Sequence, residues 1–170
     1  MMPSIELRLA TMRRALAEVI LPAIAADNAL AREQTQLVMA HLDLLAQQLP
    51  SASRLDERVL RGTEDLARTL AANASGGART QAATAALGAA LETNEDASHA
   101  ARRARLAAAI DVLVGAAEED GEAAFRARVY DAIVAHASEY GVYERAWFAP
   151  NGLDPERASL PPLATLFAAE

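Results

Sequence analysis

The sequence predicts an all-α protein: a helical bundle of four or five helices with a long, Pro-kinked N-terminal amphipathic helix and an irregular C-terminal tail. Three observations carry this. Alanine, the strongest helix former, makes up a quarter of the 170 residues. Val, Ile and Tyr, from which strands are built, are sparse. Apolar residues recur at helical spacing along almost the whole chain.

Residues 5–49 hold the longest pattern. On a helical wheel Ile5, Leu9, Met12, Leu16, Val19, Ala23, Leu30, Leu37 and Leu44 share one face, at the 3.5-residue spacing of bundle seams. Pro22 removes a backbone donor and kinks or breaks the helix, and Asp27 or Asn28 then caps a second one. The unbroken phase favours one kinked helix, roughly 65 Å long at 1.5 Å per residue. Such a helix outruns a domain whose radius of gyration is about 15 Å, so its overhang needs a partner, most simply a second copy.

The other elements follow in order. "PSASR" (50–54) stops the first segment and starts a helix over 54–74, with Leu55, Val59, Leu66 and Leu70 on one face. "NASGGAR" (73–79) reads as a flexible turn, and 80–92 as a short Ala-rich helix. A helix over 96–119 packs on Leu106, Ile110, Leu113 and Ala117. The next, 122–140, uses Phe125, Val129, Ile133 and Ala137 and ends at Gly141. Residues 1–141 are thus the bundle. Residues 142–170 are a Pro- and aromatic-containing tail packed on it through Trp147 and Phe148, within a single domain.

Composition narrows the function. The net charge is −7, and the sixteen basic residues, all Arg, are dispersed among carboxylates, which argues against a nucleic-acid partner. No apolar run is long enough to span a bilayer, and the helices lack a basic polar face, so no membrane partner is expected. "MRRALAEVILPAIAADNA" (12–29) loosely resembles a secretory signal, but Glu18 interrupts its apolar run. The absence of Cys excludes disulfides, thiolate metal sites and a Cys nucleophile, and it fits a cytoplasmic protein.

Candidate chemistry sits on the helical faces. Asp27, Gln34, His41 and Gln48 form a polar row inside the N-terminal apolar arc. His99 and His136 also fall on apolar faces, and Tyr140 shares that of His136. The bland reading is hydrogen-bonded core polar groups that fix register or oligomer state. The sharper reading is a polar pocket of Asp27, Gln34, His41, His136 and Tyr140 inside the bundle. No Glu-x-x-His, His-x-x-x-His or His-Glu-x-x-His occurs, and Asp96-x-x-His99 is the nearest approach, so no metal and no cofactor is expected. No Gly-x-Ser-x-Gly elbow is present, "ASGGA" (74–78) lacks the Lys of a phosphate loop, and "EEDGE" (118–122) reads as a solvated turn.

Two functional expectations result. The first is a non-enzymatic helical protein acting through protein–protein contacts, as a homodimer or an accessory subunit. The alternative is a small-molecule-binding protein or enzyme built around His41 and His136.

Overall fold

The computed structural model describes residues 2–92 and 97–166. It is an all-α helical bundle, and the β pairing among the described residues is one isolated bridge between Gly76 and Gly121. The chain divides into two compact units. One comprises Met1–Ala52 and Glu144–Glu170, the other Ser53–Tyr143. Residues 1–52 therefore group with the C-terminal segment, which is a different division from one at residue 141.

The first unit begins with helix α1 (Ile5–Ala15), capped by the Ser4 hydroxyl, which accepts from the Leu7 amide at 3.3 Å. A π-helical turn (Leu16–Ile20) and a last α-turn (Leu21–Ala23) continue it. The π turn has a physical cause. In an α-helix the Pro22 ring would strike the carbonyl of Glu18. The chain instead widens just before the ring, with the Leu21 amide bonded five residues back to the Leu16 carbonyl. The helix passes Pro22 and ends at Ile24, whose ψ of 127° is extended. Helix α2 (Ala29–Gln48) then starts with Asn28 as cap, its side-chain oxygen accepting from the Ala31 amide at 3.2 Å. Of the two readings of residues 5–49, two helices is the one realised.

These helices fold back on one another. Arg13 of α1 meets Asp43 of α2 at 2.5 Å. Arg32 donates to the Leu21 and Ile24 carbonyls at 3.4 and 3.3 Å, where a cation complements a helix C-terminus. The overhang from which a partner followed is therefore gone, and its length no longer argues for a second copy. The hairpin is thinly packed: α1 buries no residue, and α2 buries only Thr35 and Gln48.

The chain runs on through a 3-10 turn (Leu49–Ser51) without leaving helical backbone angles, so "PSASR" changes the helix type rather than stopping it. The second unit packs α3 (Ala52–Ala72), α4 (Ala78–Leu91), α5 (His99–Asp120) and most of α6 (Ala123–Phe148). Its core joins Leu60, Ala67 and Leu70 to Ala83, Leu87 and Ala90, then Leu106, Ile110, Leu113 and Ala117, then Phe125 and Val129. Small Ala positions let the helices approach closely, and each buried Leu or Phe contributes about 1.5–3 kcal/mol. Glu64 of α3 bonds Arg102 of α5 at 2.5 Å across this unit. Ser98 caps α5. The capping role weighed for Asp96 lies outside the described residues.

Helix α6 does not end at Gly141. It continues to Phe148, because an unstrained glycine weakens a helix without breaking it. The tail after it turns at Gly152, whose φ of +79° is left-handed and suits glycine. Its fastening is polar. Arg145 grips Asp154 with two bonds, 2.9 and 3.1 Å, and Glu156 with one of 2.9 Å. This fork holds the Asp154 carboxyl below its usual range, and it raises the pKa of Arg145. Phe148, expected as an apolar anchor, is half exposed, whereas Trp147 is partly buried and Ala146 fully.

Candidate functional site

The site is one face of α2. The side of this helix turned to α1 carries Arg32, Thr35, Met39, Leu42 and Asp43, which are buried or partly so. On the opposite side, within an arc of about 100° at 100° per residue, lie Leu30, Gln34, Leu37, Val38, His41, Leu45 and Gln48. The apolar members are bare. Leu30 is 67% exposed, Leu37 48%, Val38 49% and Leu45 51%. Gln34 and His41 between them are exposed too. The arc contains no carboxylate and no Arg, in a chain of net charge −7.

The arc is covered at one end. Gln48 is buried, and its amide donates to the Trp147 carbonyl at 2.9 Å. This bond satisfies a backbone group at the C-terminal end of α6. Gln48 is thus a structural member of the row, while Gln34 and His41 form a polar ridge on an apolar surface. Asp27, upstream in the connection, is exposed as well. Helix α1 and the π-helical turn after it add exposed Ile5, Met12 and Val19, again seven residues apart.

His136 and Tyr140 belong to the second unit. Both are partly buried, and their rings stack nearly parallel with centroids 6.4 Å apart. Gly62 of α3 lies against His136, where an added Cβ would sit 3.4 Å from the imidazole Cε1, an ordinary contact. One turn further on, Arg58 donates to the Tyr143 hydroxyl at 2.9 Å and to Glu139 at 3.1 Å, with its guanidinium 5.5 Å from the Tyr143 ring centre. The Tyr143 hydroxyl, and secondarily Glu139, raise the Arg58 pKa. This is a cross-helix fastening of α3 to α6. The Tyr143 side chain was foreseeable only if the helix passed Gly141, as it does. His99, the first residue of α5, is exposed rather than turned to an apolar face.

The two glycine turns read as flexible and solvated are instead locked together. Asp120 accepts from the Arg79 and Thr80 amides at 2.8 and 2.9 Å and from the Thr80 hydroxyl at 2.6 Å. It caps α4, whose own N-cap position, Gly77, offers no side chain. The Thr80 hydroxyl is the largest cause of a lowered Asp120 pKa. Backbone bonds from Gly77 to the Asp120 carbonyl (2.9 Å) and from Glu122 to the Ser75 carbonyl (3.0 Å) close the junction. Beside it is a cavity of about 310 Å3 lined by Ser75, Thr80, Gln81 and Thr84, and the buried Ser75 hydroxyl has no hydrogen-bond partner among the described residues.

Among the described residues, no three His, Asp or Glu side chains come together as a metal site. Among the same residues, no helix is long and apolar enough to cross a membrane. The chain matches no protein-family model, no curated protein and no solved structure.

Proposed function

We propose that this is a non-enzymatic helical protein of the cytoplasm that acts through protein–protein contacts, as a homodimer or as an accessory subunit, with the outer face of α2 as its docking surface. The observation that carries this reading is the exposure of Leu30, Leu37, Val38 and Leu45 together on one charge-free arc. Singly exposed apolar residues are ordinary, but a contiguous set is the usual mark of an interaction site. The hairpin geometry supports it, because the faces of α2 turned inward and outward are distinct and Leu30, Gln34, Leu37, Val38 and His41 of the outer one are all exposed.

The test is a double substitution, Leu30→Gln with Leu37→Gln. Light scattering and migration of the native complex are expected to show lost association, with the helical circular dichroism unchanged. Parent and variant that associate identically would remove α2 as the docking surface.

A further inference from the structure

We infer that the occupant of this face is a second copy of the chain, paired antiparallel along α2 about a two-fold axis between Leu37 and Val38. The inference rests on the docking reading above and names its partner.

A two-fold interface is isologous, so its surface must complement itself. In an antiparallel pair of helices, residue i of one meets residue j of the other with i plus j constant. For the six exposed members of the α2 arc there is a single constant, 75, that matches like with like, while the buried Gln48 is taken up by the Trp147 carbonyl. Leu30 then faces the second copy's Leu45, Leu37 its Val38, and Gln34 its His41. Every bare apolar side chain meets an apolar one, and the two polar ones meet each other. The amide of Gln34 and the imidazole of His41 each offer a donor and an acceptor, so each can satisfy the other. A parallel pairing would instead set each residue against itself, imidazole on imidazole.

Charge points the same way. Two copies of net charge −7 repel, and they approach best where neither carries a carboxylate. The α2 arc is such a place. The polar pair also gives the interface a register, since sliding by one turn would bury Gln34 or His41 against leucine unpaired. One helix pair is a small interface, so the dimer is expected at a dissociation constant on the order of 10 µM rather than nanomolar.

The absence of Cys from the chain makes the test direct. Three full-length single variants, Leu37→Cys, Gln34→Cys and His41→Cys, are treated with a short bismaleimide at about 50 µM protein, above that expected constant. Leu37→Cys, beside the axis, is expected to cross-link with itself. Gln34→Cys and His41→Cys should each cross-link poorly alone, about 10 Å apart along the axis at 1.5 Å per residue, and efficiently when mixed. Light scattering of the unmodified protein should show a concentration-dependent shift towards twice 18.0 kDa. Strong cross-linking of Gln34→Cys with itself means a parallel pair, which overturns the inference and leaves the docking reading intact. A chain that is monomeric alone, but enters a larger complex in its own cells that Leu37→Gln dissolves, does the same. A chain that is monomeric under both conditions overturns both.

Discussion

Asp120 is the last residue of α5, yet its side chain serves α4. Because its carboxyl titrates below the ordinary Asp value, the sign of its pH dependence is fixed. The capping bonds are at full strength above about pH 4 and are lost as the pH falls through the lowered value. Amide exchange at Arg79 and Thr80 is therefore expected to accelerate on acidification before the core amides of Leu87 and Leu113 respond. The neighbouring glycines give a paired prediction of opposite sign. A Cβ on Gly76 would stand 2.7 Å from the Gly121 Cα and 2.9 Å from the Asp120 carbonyl oxygen, both backbone atoms. Gly76→Ala is expected to destabilise the protein by about 1–3 kcal/mol in urea unfolding. Gly115, inside α5, has open space at its Cβ, and Gly115→Ala should stabilise by roughly 0.4–1 kcal/mol. Equal effects at the two positions would refute the close approach.

Among the elements, the tail depends on Arg145 more than on its aromatic residues. Replacing Arg145 by Ala removes three charge-assisted bonds and should expose the chain around Leu153 to limited proteolysis. Phe148→Ala should leave the cleavage rate unchanged. Sequence periodicity located α5 and its core residues Leu106, Ile110, Leu113 and Ala117 residue for residue. It could do so because that helix has one apolar stripe and one place to bury it. Helix α2 shows where the same reasoning stops. Its apolar stripe through Leu30 and Leu37 was legible, but the side packed on α1 holds Arg32, Thr35 and Asp43. Arg32 is held there by the carbonyls of a broken helix end and Asp43 by Arg13, partners that no periodicity within one helix reveals. The passage of α6 through Gly141 was missed for a related reason. A glycine does not of itself end a helix, and the left-handed turn comes here at Gly152.

At the scale of the whole molecule, burial is uneven. The twelve-residue core lies within residues 60–129, while the unit formed by the two chain ends buries few side chains. Native-state hydrogen exchange should accordingly find the slowest amides in α3, α5 and α6 and fast exchange throughout α1. Leu113→Ala is expected to cost about 2–5 kcal/mol, and Leu9→Ala much less. Protection in α1 equal to that in α5 would mean the hairpin is covered in solution, as pairing along α2 would help to achieve. The Asp120 cap also bears on the order in which the chain folds. At 14 residues α4 is marginal as an isolated helix, and the group that caps it arrives 40 residues later in the chain. Helix α4 therefore gains its cap only once α5 is formed to its last residue. The two should appear in a folding transition state together or not at all, so that substitutions at Ala83 and Ile110 slow folding by the same fraction of the stability each removes.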